Sequence, residues 1–244
     1  MLPKLDVPVF QLKLPLLDKV VRYRPFLVKE EKILLMAMES NDEKAVVDAV
    51  KQIVNNCCVD DIDVETLPIV DLEFLFLNLR ARSIGEVVEL QYKCNNNVKK
   101  DNSDEEKKCG NIVKFDLNLL EINPTFDEKH SKKIELTSDT GIVMKYPNFK
   151  LVEKVDAESE VDRIMKMIIE CVDYIYDKDS IYYRKDIEEK DLQEFIESLT
   201  RDQFKKVQEF FETLPKIKKT LHFACNKCGH EEDFDVEGLQ NFFV

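Results

Sequence analysis

The sequence has little glycine and proline, few histidines and no recognisable catalytic motif. Its 244 residues include 5 Gly, 8 Pro and 3 His. So little glycine and proline argues against a disordered or loop-dominated chain. The histidines form no visible Ser-His-Asp or Cys-His arrangement, and no GxGxxG, Walker or HExxH motif occurs. Since nothing here argues for catalysis, we interpret the protein as a non-enzyme.

Membrane-directing segments and excess positive charge are also lacking. No stretch approaches the roughly 18–20 apolar residues of a membrane span. The first residues, MLPKLDVPVF, contain proline and aspartate where a signal peptide has a basic start and an apolar run. The net charge of −13 repels phosphate backbones and anionic lipid surfaces. We therefore expect a cytosolic protein that binds other proteins, and neither nucleic acid nor membrane.

Apolar residues are plentiful enough for a packed core. The hydrophobic fraction is 44%, and 15 Phe and 7 Tyr supply large apolar surfaces. Apolar residues at helical spacing predict six helical segments. These are 28–38, 43–58, 63–82, 158–176, 186–199 and 201–214. Shorter alternating segments predict strands at 86–93, 112–120 and 220–224, each beside a cysteine.

The two halves of the sequence repeat one order of elements: short β segments, helices, then a strand that runs into cysteine. The best match is between LQYKC…CGNIVKFDLNLLE and LHFACNKCGHEEDFDVEGLQ. We interpret this as an ancient duplication, with chance similarity of short patterns as the alternative. The expected domains are 1–122, which ends in the first cysteine hairpin, and 123–244, which ends in a CxxC knuckle. The two halves can also form one integrated domain.

Cysteine is the most informative residue type. Seven cysteines occur, an odd number, and Cys57 and Cys58 are adjacent, so a complete disulfide framework is not expected. In a reducing cytosol, clustered thiols commonly bind metal. Cys57, Cys58 and Cys171 lie on apolar helix faces or ends, and we interpret them as small buried hydrophobic residues.

The other four cysteines form a pattern typical of a zinc site. Cys225 and Cys228 are separated by two residues and followed by glycine, as in a zinc knuckle. Cys109 also precedes glycine, and Cys94 comes before it, separated by a polar spacer of 14 residues. We predict one structural Zn²⁺ per chain on Cys94, Cys109, Cys225 and Cys228. Unliganded thiols and redox chemistry are the alternatives. The expected fold is α+β and mostly helical, with two duplicated helical halves joined by a split four-cysteine zinc ribbon of short antiparallel strands.

The segments around these cysteines resemble a known family. FIESLTRDQFKKVQEFFETLPKIKKTLHFACNKCGHEEDFDVEGLQNFF is similar to the C-terminal region of baseplate hub and hub-assembly proteins of T4-like contractile-tailed phages. LKLPLL…VRYRPFLVKEEKILLMAME and LPIVDLEFLFLNLRARSIGEVVEL resemble the N-terminal region of the same family. The resemblance covers most of the chain.

The resemblance implies a structural or assembly role in the baseplate hub, through binding to other tail proteins. It places the protein in the host cytoplasm during assembly and leaves open its presence in the virion and its self-association as a homo-oligomer. A zinc-ribbon regulator associated with nucleic acid is the alternative, against which the net charge of −13 counts.

The C-terminal residues predict an assembly contact. Phe242, Phe243 and Val244 place three apolar side chains at the end of the sequence. Leaving each Phe in water forfeits roughly 1.5–3 kcal/mol relative to burial. They can pack back into the ribbon core or dock into a neighbouring hub subunit, where aromatic anchors often dominate the binding energy.

Overall fold

A computed structural model of the protein describes residues 5–40, 42–99, 106–155 and 159–238. Its strands are β1 (Phe10–Lys13), β2 (Val20–Tyr23), β3 (Val87–Lys93), β4 (Asn97–Lys99), β5 (Glu106–Lys108), β6 (Ile112–Asn118), β7 (Pro124–Thr125), β8 (Lys133–Glu135), β9 (Gly141–Met144), β10 (Val172–Tyr176), β11 (Ile181–Tyr183), β12 (Lys216–Ala224) and β13 (Glu231–Glu237). Its α-helices are α1 (Val28–Glu39), α2 (Glu43–Cys57), α3 (Ile69–Ser83), α4 (Phe149–Lys154), α5 (Glu160–Cys171), α6 (Glu189–Glu197) and α7 (Arg201–Glu212).

The first of two compact units comprises the described residues of Met1–Ile62, Leu72–Thr125 and Lys216–Val244. It contains the β1–β2 hairpin, α1, α2, most of α3 and two antiparallel strand pairs, β3–β6 and β12–β13. The short strand β7 extends the second pair into a three-stranded sheet in the order β13-β12-β7. The described residues of 216–238 thus belong to the same unit as those of 5–62.

Local sequence explains the first two helices of this unit. In α1, Glu30, Leu34 and Ala37 recur at helical spacing and are buried on one face. The side chain of Asp42 caps α2 by accepting a hydrogen bond of 3.0 Å from the backbone N–H of Lys44. Such caps satisfy amide groups that have no partner within the helix.

Helix α3 is apolar on nearly every side, which is typical of a helix surrounded by other elements. Leu72, Leu75, Phe76 and Leu79 are each at most 1% exposed. None of the helices in the described ranges is both long and apolar enough to cross a membrane.

The second unit comprises the described residues of Asp63–Asp71 and Phe126–Pro215 and is built on a four-stranded antiparallel sheet. The strand order is β11-β10-β9-β8, so β11 and β8 are the two edges. The pairing of β10 with β9 contains a bulge between Val172 and Tyr174, whereas β10 pairs with β11 without interruption.

Helices α4 to α7 complete the core of the second unit. Their buried apolar residues pack with those of the sheet, and the cluster includes Ile142, Met144, Leu151, Ile168, Ile169, Leu192, Ile196, Val207 and Phe210. Ser159 caps α5, and Thr200 forms a capping box with Gln203 at the start of α7.

The prediction of a mostly helical fold is wrong. The fold is α+β, with about 40% of the described residues in helices and 29% in strands. The predicted helix over 158–176 ends at Cys171, because the β-branched and aromatic residues of VDYIY form strand β10 instead. Part of the polar spacer between Cys94 and Cys109, residues 97–99 and 106–108, also forms strands.

The prediction of two duplicated helical halves is also wrong. Helices α4 and α5 are followed by β10 and β11 of a four-stranded sheet, whereas α1 and α2 are followed directly by α3. The described part of the first half contains no counterpart of that sheet. Short sequence similarity at the cysteine hairpins therefore does not extend to the helices. The domain boundary between residues 122 and 123 stays a prediction; the compact units divide the chain after Ile62, within α3, and again after Thr125 and Pro215.

Candidate metal centre

Two antiparallel strand pairs of the first unit bring the four predicted cysteines together. β3 pairs with β6 from Val87↔Asn118 to Lys93↔Ile112, and Cys94 and Cys109 follow and precede these strands. β12 pairs with β13 from Lys218↔Glu237 to Ala224↔Glu231, and Cys225 and Cys228 occupy the matching end. Each pair thus presents two thiols at the end of its ladder.

The backbone around the thiols follows the same hydrogen-bond pattern in both hairpins. The N–H of Cys94 donates to the carbonyl of Asn111, and the N–H of Cys225 donates to that of His230, both at 2.8 Å. Gly110 and Gly229 then donate back to the carbonyls of Cys94 and Cys225, at 3.0 and 2.9 Å.

These turns require the left-handed backbone region. Gly110 has φ of +66° and Gly229 has φ of +71°, and glycine adopts such angles without a steric penalty. Glycine therefore follows Cys109 and Cys228 because the backbone at these two positions has a positive φ.

The four sulfur atoms are spaced as a tetrahedral metal site requires. The Sγ atoms of Cys94 and Cys228 are 3.7 Å apart, and those of Cys109 and Cys225 are 3.8 Å apart. All four lie within 4.8 Å of one another. Zinc–sulfur bonds of about 2.3 Å in a tetrahedron place sulfurs about 3.8 Å apart. A disulfide needs about 2.0 Å, and all seven cysteines are free thiols. The donor set thus fits a four-thiolate metal ion.

Amide groups surround the sulfurs with hydrogen-bond donors. The side-chain Nδ2 of Asn111 lies 3.5 Å from the sulfur of Cys225, and that of Asn96 lies 3.7 Å from the sulfur of Cys228. Backbone N–H groups also donate to cysteine sulfurs, that of Asn96 to Cys94 and those of Lys227 and Cys228 to Cys225. Donors of this kind stabilise thiolates and hold ligands in position.

The surroundings shift the pKa values of the cysteine thiols in different directions. Burial opposes ionisation of Cys225, but the backbone donors of Cys228 and Lys227 and the side chains of Cys228 and Asn111 outweigh it and lower its pKa to about 6. Burial and its neighbouring thiols raise the pKa of Cys94 to about 12. The backbone N–H of Asn111 and the thiol of Cys94 favour ionisation of Cys109, but burial and the thiols of Cys228 and Cys225 outweigh them and raise its pKa. Four thiolates so close together need a cation to balance their charge.

Aromatic side chains join the two hairpins directly behind the thiols. The ring of Tyr92 stacks on Phe234 with centroids 4.5 Å apart and contacts Phe223 at 4.8 Å. Phe115 meets Phe234 edge-on at 5.6 Å. The Tyr92 hydroxyl donates to Glu232 at 2.9 Å. This aromatic cluster packs the two hairpins against each other and so holds the four thiols close together.

The residues at the two ends of the long spacer after Cys94 match a knuckle of ordinary size. If residues 96–107 are passed over, Cys94, Asn95, Lys108, Cys109 and Gly110 read CNKCG, the sequence of 225–229. Strands β4 and β5 pair from Asn97↔Lys108 to Lys99↔Glu106 and extend the hairpin beyond the thiols. The hydrogen bond from the Cys109 N–H to the Asn96 carbonyl, 2.8 Å long, closes this extension.

The remaining sequence predictions have different outcomes. Cys57 and Cys171 are buried and Cys58 is half-buried, and burial raises their pKa values to about 11, 12 and 12, respectively. Phe242 and Phe243 lie outside the described residues. Asn96 and Asn111 were not predicted as site residues; their one signal is an asparagine two positions after each cysteine of the first hairpin.

A comparison with known protein families shows which family the chain belongs to. The model of the family described as T4 bacteriophage base plate protein matches residues 7–244. The chain therefore belongs to this family and is a structural protein of a phage tail baseplate. No curated protein and no solved structure matched the chain.

Proposed function

We propose that the protein is a non-enzymatic component or assembly factor of the baseplate hub and acts by binding other tail proteins. The observation that carries the proposal is the family match over residues 7–244. In this proposal the protein acts in the host cytoplasm during assembly, and it stays in the tail baseplate if it is a component and leaves if it is an assembly factor. Self-association as a homo-oligomer stays a prediction.

We further propose that Zn²⁺ binds Cys94, Cys109, Cys225 and Cys228 and has a structural role. When bound, the ion supplies four bonds between segments that are far apart in sequence, and the free energy of binding contributes to folding. Three buried cysteines and the half-buried Cys228, whose sulfurs all lie within 4.8 Å of one another, support this proposal. Because all four positions are protein ligands, no coordination position remains for a substrate.

Elemental analysis of protein purified without chelator tests the metal proposal. We expect one zinc per chain, and we expect Cys225→Ser and Cys228→Ser to lose zinc and become sensitive to protease. Cys58→Ser, outside the cluster, is the control and should keep its zinc. Wild-type protein without zinc would contradict the proposal, and a Cys94→Ser variant that retains zinc fully would remove Cys94 from the ligand set.

Mass spectrometry of purified virions beside pre-assembly complexes tests the hub proposal. We expect the chain in complexes that contain hub proteins, and its presence or absence in virions separates a permanent component from an assembly factor. Recovery only with proteins from outside the tail would contradict the proposal.

The C-terminal docking of Phe242 and Phe243 into a neighbouring hub subunit stays part of the proposal. A variant without residues 241–244 should fold with unchanged thermal stability and fail to join the hub complex. Loss of stability in the isolated protein would instead place these residues in the core.

The alternative of a nucleic-acid regulator is not favoured by the exposed face of the β12–β13 pair. Lys218 pairs with Asp235 at 2.7 Å, and Lys216 pairs with Glu237 at 3.1 Å. Lysines neutralised in this way give no excess positive potential for phosphates. A gel-shift assay at low and high salt is the direct test, and salt-sensitive binding to DNA or RNA would favour the alternative.

A further inference from the structure

The two edges of the four-stranded sheet in the second unit differ in their protection. On edge strand β8, Lys133 and Glu135 are exposed and lie 3.6 Å apart as an ion pair. Helix α7 also reaches this edge, since Lys206 Nζ donates to the carbonyl of Glu135 at 2.7 Å. Charged side chains and covering helices prevent edge strands from pairing with other chains.

Edge strand β11 has no such protection within its own residues. Ile181, Tyr182 and Tyr183 are 55%, 46% and 49% exposed, and the strand contains no proline and no charged residue. Its pairing with β10 has no bulge. An exposed apolar edge of this kind is typical of a surface that another strand covers.

The hydrogen-bond alternation shows which backbone groups this edge offers. The turn before β11 closes with a hydrogen bond of 3.0 Å from the N–H of Asp177 to the carbonyl of Ser180. Since bonded and non-bonded pairs alternate along antiparallel strands, Tyr182 belongs to the next bonded pair with β10. The N–H groups of Ile181 and Tyr183 therefore point away from β10, as does the carbonyl of Ile181.

A second copy of β11 fits these groups in one antiparallel register. When two β11 strands pair about a two-fold axis at Tyr182, the N–H of Tyr183 faces the carbonyl of Ile181 in the second copy. The two-fold axis repeats the same contact in the opposite direction. The exposed side chains of Ile181 and Tyr183 also lie opposite each other across the two strands, where they pack as a cross-strand pair.

Charged side chains on either side of β11 favour the same register. Lys178 and Asp179 precede the strand, and Lys185 and Asp186 follow it. The two-fold arrangement brings Asp179 beside Lys185 of the second copy, and it brings Lys178 beside Asp186. All four side chains are exposed, and none of them has an ion-pair partner among the residues that the structure describes.

The other charges next to β11 are already engaged within the chain. Arg184 pairs with Glu170 at 3.7 Å, and Asp177 accepts a hydrogen bond of 2.9 Å from the Tyr182 hydroxyl. Glu188 lies at the N-terminus of α6, where the helix dipole favours a negative charge. The flanking charge that is available to a second copy therefore comes from two lysines and two aspartates.

The neighbouring registers are less favourable. Pairing of Ile181 with Ile181 of the second copy would bring Lys178 beside Arg184, which is repulsive. Pairing of Tyr183 with itself would instead place the apolar Ile181 opposite Lys185. Only the register centred on Tyr182 combines the backbone hydrogen bonds with attraction between the flanking charges.

We propose that the protein forms a two-fold dimer in which β11 of one copy pairs antiparallel with β11 of a second copy about Tyr182. The pairing joins the two four-stranded sheets into one continuous sheet. An interface of this symmetry requires a surface that is complementary to itself, and the backbone groups and flanking charges of β11 meet that requirement. The dimer is a property of the chain alone and does not rest on the proposed role in the hub.

Sedimentation velocity of the full chain over a range of concentrations tests the dimer. We expect a dimer that dissociates on dilution. Asp179→Lys and Lys185→Asp each place like charges together at two symmetry-related positions, so each should raise the dissociation constant at least tenfold. The double variant restores opposite charges and should return the constant close to that of the wild type. Lys133→Asp, on the edge strand β8, is the matched control and should leave it unchanged.

Three results would contradict the proposal. A wild-type protein that is monomeric at every concentration would overturn the dimer. Single variants that associate like the wild type would place any dimer on another surface. A double variant as weak as the single variants would show that Asp179 does not meet Lys185, and the register would fall with that contact.

A second pair of variants tests the backbone hydrogen bond. Tyr183 has a φ of −74°, which proline adopts, and its N–H points away from β10. Tyr183→Pro therefore removes the donor to the second copy and keeps the pairing with β10, whereas Tyr183→Ala removes the same ring but keeps the N–H. With folding checked by thermal unfolding, we expect the proline variant to dimerise about tenfold more weakly than the alanine variant. Equal dissociation constants would overturn the strand pairing.

Discussion

The sulfur of Cys94 lies 3.7 Å from the sulfur of Cys228, although 134 positions separate the two residues in sequence. Each residue stands at the end of a strand pair, and neither hairpin contributes more than two of the four thiols. The centre therefore depends on the return of 216–238 to the unit that contains 94–118.

Shortening the spacer after Cys94 should preserve the metal centre. Deletion of residues 96–107 leaves CNKCG, identical to 225–229, so we expect one zinc per chain as in wild type. The shorter connection should also raise the free energy of unfolding by about 1–2 kcal/mol, because less loop entropy is lost on folding. Zinc content and denaturant unfolding are the measurements. Deletion of 97–107, which leaves three residues between the cysteines, is the matched control and should bind zinc more weakly. Loss of zinc in the first variant would show that the insertion is part of the site.

Asn111 should tune metal affinity without being a ligand. Its amide donates to the sulfur of Cys225 and, at 2.8 Å, to the side chain of Asn226. Asn111→Ala should weaken zinc binding about 10–100-fold, as is usual for groups that orient ligands. Competition with a chelator gives the affinity. Asn226→Ala removes the amide pair but leaves the contact with sulfur, so its affinity should stay close to wild type. If the two variants weaken binding equally, the contact between Asn111 and sulfur is unimportant.

Glu73 should make the protein less stable as pH rises. Burial, with the nearby charge of Glu237, raises the pKa of this carboxyl from 4.5 to about 7. Because the folded state holds the proton more tightly, stability is highest below pH 4.5 and falls as pH rises to 7. Glu73→Gln should therefore raise the free energy of unfolding at pH 8 by up to about 3 kcal/mol and leave it nearly unchanged at pH 4. Denaturant titrations at both pH values test this, with exposed Glu39→Gln as the control. A stabilisation independent of pH would contradict the explanation.

Replacement of Glu30 should lower the free energy of unfolding more than replacement of an exposed charged residue in the first unit. Its carboxylate is fully buried, accepts the Leu27 N–H at 2.8 Å and pairs with Arg24 at 3.1 Å. Burial opposes its ionisation, but these partners and Lys29 prevail and lower its pKa. Its contribution is thus present above pH 4.5 and is lost as pH falls through the lowered value.

Removal of this carboxylate leaves Arg24 and the helix amide without their partner. We expect Glu30→Ala to cost about 3 kcal/mol in the free energy of unfolding at pH 7. Glu89→Ala, which breaks the exposed pair with Lys114, should leave the free energy of unfolding close to that of the wild type, because exposed ion pairs contribute little. Similar losses in the two variants would show that burial of Glu30 has little energetic importance.

Helix boundaries and strand content were only partly predictable from the sequence. The helix predicted over 28–38 is α1 and that over 201–214 is α7, because spacing and capping residues act locally. The helix predicted over 158–176 extends too far. Apolar residues at helical spacing continue into VDYIY, but this segment pairs with β9 and β11 and forms a strand instead. Strand pairing depends on partners that periodicity within one segment does not identify.

By itself, the sequence determined the cysteine pattern, the glycines after Cys109 and Cys228, and the apolar faces of the helices. Those features follow from residue type and short-range spacing, so one segment is enough to specify them. Only the tertiary structure decided that Asn96 and Asn111 approach the sulfurs, that Tyr92 and Phe234 join the hairpins, and that β11 is left at an edge. The first two are contacts between segments distant in sequence, and the third depends on which strands pair. Both kinds of feature exist only once the chain has packed.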